Sequence, residues 1–182
     1  MTQNQDEHGG LKGVVDKMQD VVGGMVGMAS ASTAGAHAAP AFVASATVGD
    51  LYEIGAGSLA LERSSSPEVR TFARMMVDHH TTSAHQLQSA LRSTEVRTDS
   101  GPPTAPETLD ERRRGMIDNL RDAPDDAFDG RYLDQQKMAH QETLALLNGY
   151  AEHGDNPQLQ SYARGGIPMV ERHLKMLGAI RA

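Results

Sequence analysis

Residues 66–91 read SPEVRTFARMMVDHHTTSAHQLQSAL, and this stretch decides the fold of the chain. Ser66 is a typical helix N-cap, and Pro67 suits the first helical position because its missing N–H needs no partner there. Apolar residues then recur every three or four positions, which predicts a helix with one buried face as far as about residue 93. The imidazole of His80 interrupts this apolar stripe. The stripe consists of Val69, Ala73, Met76, His80, Ala84, Leu87 and Leu91.

Three further segments have the same helical periodicity, and each has one side chain on its inner stripe that can bind a metal. Asn156 and Pro157 repeat the N-cap and first position of the helix described above. Pro168 lies inside the last helix and is expected to bend it just before the histidine, because proline cannot donate the backbone hydrogen bond. The predicted helices and their polar residues are 41–63 with Glu53, 125–152 with His140, and 157–180 with His173.

The rest of the chain connects or precedes these helices. Residues 94–106 form a connection rich in Pro, Gly, Ser and Thr, and residues 108–111 resemble a capping box that opens a short helix ending before Pro124. Residues 1–40 are predicted to be a flexible or weakly helical tail, and residues 41–182 the folded domain. The long connection lets the chain return across the domain, which predicts an all-α fold: a ferritin-like four-helix bundle with a long crossover between helices two and three.

The spacing of the four polar residues from the turns predicts that they meet. Glu53 lies 14 residues before Pro67, and His80 lies 13 residues after it. His140 lies 17 residues before Pro157, and His173 lies 16 residues after it. In an antiparallel hairpin, equal distance from the turn means equal height along the axis, so each hairpin brings its own pair to one level. The distances from the turn are about one helical turn longer in the second hairpin, and a shift of one hairpin along the axis relative to the other can absorb this difference.

Burial of these side chains indicates a metal site. A buried carboxylate or imidazole is costly unless it is paired or bound to a metal. Glu53, His80, His140 and His173 together suit one transition-metal ion (zinc, iron, copper or manganese) and a role in metal handling or stress protection. The alternative is a metal-free interaction protein, in which the histidines form a hydrogen-bonded network and an amphipathic N-terminal helix at residues 14–25 docks on a partner or membrane.

Five further residues are predicted to surround the ligands. Met76 and Met169 each precede a candidate histidine by four residues, so they share its face and offer soft sulfur atoms suited to copper. His79 points about 100° away from His80 and is assigned to solvent or a neighbouring helix. The surrounding set consists of Asp78, Tyr132, Gln136, Met76 and Met169.

The spacing also separates this site from di-iron ferritins. Those sites need a Glu-x-x-His pair on each of two helices. Here the residues three positions before the histidines are Val77, Lys137 and Val170, so a mononuclear site fits better. No nucleophile, phosphate loop or paired general acid and base is visible, which favours a binding protein over an enzyme. If a coordination position opens, the enzyme class that fits is a metal-dependent oxidoreductase.

Composition excludes several partners and chemistries. The net charge is −7 and the basic residues are scattered, so nucleic acid is not an expected partner. No cysteine is present, which excludes thiolate ligands and disulfides. The N-terminus lacks the basic start of a secretory signal, so a cytoplasmic location is favoured, with the periplasm as the alternative. A homodimer stays open as an assembly.

Three blocks of these residues resemble the DUF4142 family, a group of ferritin-like bacterial proteins of unknown function. The resemblance covers about residues 41–182 and implies a ferritin-like four-helix bundle without a settled activity. Because many members are exported, it also favours the periplasmic alternative. His79 stands where the family often has a second acid, so a role for that acid is not carried over. The blocks are Phe42–Leu91 with Glu53, Ser66–Val69, Phe72-Ala73 and Asp78–His80; Phe128–Leu133 followed by His140; and Pro168–His173.

Overall fold

The structure is a computed structural model that describes residues 35–93, 96, 101 and 103–180. Within those residues there are five α-helices and no β-strand, which confirms the all-α class. The four long helices begin and end within three residues of the predicted bounds. The helices are α1 (Ala39–Arg63), α2 (Pro67–Leu91), α3 (Glu111–Arg121), α4 (Asp125–His153) and α5 (Pro157–Leu177).

The predicted N-terminal helix at residues 14–25 lies outside the described residues, as does the rest of the tail up to residue 34. None of the helices in the described part of the chain combines the length and the apolar character that crossing a membrane requires. The choice between cytoplasm and periplasm therefore stays a prediction.

Side-chain caps fix where the helices begin. Ser66 Oγ accepts a hydrogen bond from the Val69 backbone N–H, and Asn156 caps α5 in the same way, as predicted. The predicted capping box at residues 108–111 is wrong, because α3 begins at Glu111 and its N-cap is Asp110. The Asp110 carboxylate accepts from the backbone N–H of Arg113 at 2.7 Å. A negative charge at this position stabilises the positive helix end more than the neutral hydroxyl of a threonine does.

The long helices form two antiparallel hairpins, α1–α2 and α4–α5, with α1 against α4 and α2 against α5. The Ala39 N–H donates to Asp155 Oδ1 at 2.9 Å, and Arg63 Nη2 donates to Asp125 Oδ1 at 2.6 Å. The start of α1 therefore meets the end of α4, so these helices are antiparallel and α2 and α4 run in the same direction. The turns of the two hairpins lie at opposite ends, and no sliding offset between hairpins is needed to bring their midpoints together.

A buried carboxylate ties the short helix α3 to α4. Glu142 of α4 accepts hydrogen bonds from Arg112 at 3.1 and 2.6 Å and from Arg113 at 2.7 Å. The guanidinium of Arg113 also lies over the ring of Tyr52, 4.7 Å from its centroid. Charge-assisted hydrogen bonds of this kind are short and directional, so they fix α3 across the α1–α4 side of the molecule.

The apolar core is divided into two clusters by a polar layer at mid-height. On α2, α4 and α5, the histidine predicted from the sequence lies between residues of one cluster and residues of the other. In α2, for example, Met76 belongs to the cluster near the α1–α2 turn and Leu87 to the cluster near the α4–α5 turn, with His80 between them. A layer of charged or imidazole groups inside an apolar core needs internal partners or a bound ion.

Candidate metal centre

Three histidines from three helices meet in the polar layer. His80 of α2, His140 of α4 and His173 of α5 are 2%, 1% and 0% exposed. One ring nitrogen from each can be chosen so that all three atoms lie within 4.8 Å of one another. Such a group of buried imidazoles has the right donor atoms for a transition-metal ion.

Asp50 of α1 fixes the orientation of His80. The His80 Nδ1 lies 2.8 Å from Asp50 Oδ1, and both residues are buried. Because a carboxylate accepts, Nδ1 carries a proton, and in the neutral ring Nε2 presents its lone pair. That Nε2 and the second oxygen, Asp50 Oδ2, have no partner among the described residues. This is the carboxylate–histidine pair that commonly orients a metal ligand, and its free nitrogen is the one a metal would use.

Burial and the hydrogen bond between Asp50 and His80 shift the pKa of each of these two residues in opposite directions. Burial disfavours a proton on His80, but the hydrogen bond to Asp50 and the charges of Glu53 and Asp50 outweigh it, so the pKa of His80 lies above its usual value. Burial likewise raises the pKa of Asp50, and the hydrogen bond and charge of His80, with a smaller effect of the Ser83 hydroxyl, only partly offset that rise. Without a metal, both shifts favour the more protonated form of the Asp50–His80 pair.

The other two histidines belong to a hydrogen-bonded chain that ends on a backbone carbonyl. His140 Nδ1 lies 2.8 Å from the carbonyl oxygen of Gln136, His140 Nε2 lies 3.0 Å from His173 Nδ1, and His173 Nε2 lies 2.8 Å from His79 Nδ1. A carbonyl can only accept, so His140 Nδ1 is the donor. In neutral rings, His173 then donates to His140 Nε2, and His79 donates to His173 Nε2.

The protonation states of these two rings suit metal binding. Burial, followed by the charge of His80, lowers the pKa of His140 to about 3. Burial, followed by the charges of His140 and His80, lowers the pKa of His173 to about 2. Both rings are therefore neutral near pH 7, which is the form that has a lone pair for a metal.

Glu53 lies beside the histidine group and is 1% exposed. Its Oε2 accepts from Gln136 Nε2 at 2.6 Å, and its Oε1 lies 3.5 Å from His140 Nδ1, at the outer limit of a hydrogen bond. Burial raises the pKa of Glu53, while the nearby positive charges of His80 and Arg113 and the hydrogen bond from Gln136 oppose the rise. The structure thus brings Glu53 into the layer but places it next to His140 rather than within the group of three nitrogen atoms.

The residues predicted to surround the ligands occupy different positions. Gln136 is buried and bonds both Glu53 and, through its backbone, His140. The hydroxyl of Tyr132 is buried without a partner among the described residues, and burial followed by the charge of Glu53 raises its pKa. Met76 lies in the apolar core and Met169 is half-buried, whereas Asp78 is exposed. Asp78 faces outward because it lies two positions before the buried His80, and side chains two positions apart on a helix point about 200° apart.

The sequence prediction left out two residues that contact the histidines. Asp50 precedes Glu53 by three positions and so shares its face, which is the one pattern by which it could have been found. His79 was assigned to solvent or a neighbouring helix, and the structure places it against His173 of α5. Its position on the flank of α2 points it toward the adjacent helix, and only the packing of α2 on α5 identifies that neighbour.

The geometry and charge of the layer fit a divalent ion. Two imidazole nitrogens on one tetrahedral ion lie about 3.3 Å apart, close to the 3.0 Å between the nitrogens of His140 and His173. The widest separation in the group, 4.8 Å, must shrink by about 1.5 Å, which side-chain rotation can supply. The charges of Asp50 and Glu53 balance the two positive charges of such an ion, so the buried layer becomes neutral.

A sequence model of the family described as a domain of unknown function (DUF4142) matches residues 25–180 of the chain. No curated protein and no solved structure matches the chain. The description of the family names no activity or ligand, which leaves the chemistry of the buried layer as the guide to function.

Proposed function

The chain belongs to the DUF4142 family, and from the geometry of its polar layer we propose that it binds a single transition-metal ion. The proposed ligands are His80, His140 and His173, with Glu53 as the fourth. The observation that carries this proposal is the meeting of three fully buried imidazoles from three helices, with ring nitrogens within 4.8 Å. Three such groups have no reason to share one buried layer unless they bind each other or an ion.

Glu53 completes the ligand set through its Oε1, because Oε2 already accepts from Gln136. That oxygen lies 3.5 Å from His140 Nδ1, and the side chain must rotate to bring it to the ion. A shell of three imidazoles and one carboxylate is closed, which favours storage, transfer or structural use of the ion over catalysis. The proposed physiological role is accordingly metal handling, with zinc, iron, copper and manganese as the candidate ions.

We further infer that the four long helices form a ferritin-like four-helix bundle. Two antiparallel hairpins pack face to face, and the helices joined by the long connection, α2 and α4, run in the same direction. A chain that leaves one helix and enters the next in the same direction must travel back along the molecule, which is the crossover that ferritin-like bundles have. A site at mid-height between facing helices is also where such bundles hold their metals.

Elemental analysis of the full chain, purified without a His-tag or a chelating resin, tests the metal proposal. About one ion per chain is expected, together with a fall in melting temperature when a chelator removes it. His140→Ala should lower the metal content strongly. His85→Ala is the matched control, because His85 is exposed on α2 and should leave the content unchanged. Substoichiometric metal, together with an unchanged melting temperature in chelator, would refute the proposal.

A second candidate function, a metal-free interaction protein, is favoured by the completeness of the histidine chain. His79, His173, His140 and the Gln136 carbonyl satisfy one another with neutral rings and no ion. In that case the network specifies the packing of α2, α4 and α5. The two functions differ at His80, whose Nε2 has no partner among the described residues and would gain one from a bound ion.

A further inference from the structure

The proposed ligands are buried, so an ion needs a way to reach them. A cavity of about 210 Å³ lies between the four long helices and touches His80. Its wall includes Thr82, Gln86 and Gly165, which are exposed, and also Asp50 and His80, which are buried. The cavity therefore extends from the surface, between α2 and α5, to the edge of the polar layer.

The lining of this cavity suits a cation. Among the described residues, Asp50 is the one carboxylate in this lining, no lysine or arginine takes part, and the Asp50 Oδ2 atom has no hydrogen-bond partner. The hydroxyls of Ser83 on α2 and Tyr162 on α5 lie 2.7 Å apart across the cavity lining, which also includes His79. Oxygen and imidazole donors in the lining can replace water molecules around a divalent ion as it moves inward.

We propose that this cavity is the access route for the metal ion, and that Asp50 and His79 bind the ion before it reaches the three buried histidines. The inference rests on the proposed metal-binding function and specifies the path that serves the site. Asp50 has a second part in it, because one of its oxygens orients His80 while the other faces the incoming ion. His79 contacts His173, so it links the cavity wall to the ligands.

Glycine at two positions keeps the route open. A Cβ at Gly49 would have Thr143 Oγ1 as its nearest neighbour at 3.9 Å, and a Cβ at Gly165 would have no atom within 4 Å. Both positions line the cavity and both lie in helix interiors, where leucine is a better helix former than glycine. The first side-chain carbon of a leucine therefore fits at either position without moving the helices, and we expect the rest of the side chain to narrow the cavity.

Stopped-flow uptake of Co²⁺ by the metal-free full-length chain tests this route, with Gly49→Leu and Gly165→Leu as the two variants. Each should slow both the uptake of the ion and its removal by EDTA about tenfold or more. The stoichiometry and Kd should stay unchanged, because a narrowed path alters both rates equally. Gly130→Leu is the matched control, since Gly130 is a helical glycine with no atom within 4 Å of its Cβ and does not line the cavity.

The outcomes separate the route from the site. Wild-type rates in both leucine variants would overturn the route while leaving the metal site intact. Equal slowing in Gly130→Leu would also overturn it, because the effect would then come from helix stiffness. Loss of stoichiometry in a variant that keeps its fold would overturn the route by making the cavity part of the binding site itself. Failure of the wild-type chain to bind Co²⁺ would instead refute the proposed function, and the route with it.

Discussion

Replacement of Asp50 by asparagine should weaken metal binding without weakening the metal-free fold. The carboxylate of Asp50 accepts the Nδ1 proton of His80 at 2.8 Å inside the protein. Asparagine has the same shape and can keep that hydrogen bond through its carbonyl oxygen, but it removes the negative charge. The charge makes the opposite nitrogen of His80 a stronger donor to the metal and also offsets part of the positive charge of the ion.

The magnitude follows from these two contributions. Loss of a partner that orients a metal-bound histidine lowers affinity about 10- to 100-fold, which is about 1.4–2.7 kcal/mol. In the metal-free protein two effects oppose each other, because burial makes the charge of Asp50 a cost to the fold, whereas the same charge stabilises a proton on His80. We therefore expect the free energy of unfolding of metal-free Asp50→Asn to stay close to that of the wild type.

Two measurements on the same protein check this prediction. Competition with a chromophoric chelator gives the Kd for zinc, and urea denaturation in chelator gives the stability of the metal-free chain. Asp78→Asn is the matched control, because Asp78 lies on the same helix as His80 but is exposed. An unchanged Kd in Asp50→Asn, or an equal loss in Asp78→Asn, would refute the proposed role of Asp50.

Three further predictions concern stability, all for the metal-free chain in chelator. The pKa of His140 falls from about 6.5 in the unfolded chain to about 3 in the folded chain, so the contribution of its neutral ring to the free energy of unfolding is lost as the pH falls below 6.5. The stability advantage of the wild type over His140→Gln should therefore shrink by about 2 kcal/mol between pH 8 and pH 5. A pH-independent difference in urea titrations would contradict this. Glu142→Gln should cost about 3–5 kcal/mol of stability, because two arginine side chains lose their buried counter-charge. The exposed control Glu152→Gln should cost little. Equal effects of the two substitutions in denaturant titrations would count against a stabilising ion pair between Glu142 and the two arginines. Tyr132→Phe should be neutral or stabilising by up to about 1 kcal/mol, because it removes a buried hydroxyl without a partner among the described residues. Tyr52→Phe should instead cost about 1 kcal/mol, because it loses a 2.8 Å hydrogen bond. Calorimetry that reverses this order would show that the two hydroxyls have been wrongly assigned.

The helices and their inner faces followed from local rules. Ser66-Pro67 and Asn156-Pro157 begin helices because a side-chain oxygen and a missing N–H suit the same few positions in any helix. His80 and His173 were predicted to be buried because an inner stripe repeats with the helical period. The N-cap of α3 was misassigned by two residues, since Thr108 and Asp110 are both suitable caps and only the path of the connection selects between them.

The sequence by itself determined that the chain is helical, which stripes are buried, and that each long helix contributes at least one polar residue to the interior. These properties depend on residues within a few positions of one another, so they can be read from spacing alone. The tertiary structure decided that Asp50 orients His80, that His79 contacts His173, and that a cavity reaches the layer between α2 and α5. These contacts join helices that are far apart in the chain, and their distances depend on how the helices are rotated and spaced. Helical periodicity fixes which face of a helix is buried, but it does not fix which atoms of a neighbouring helix that face will meet.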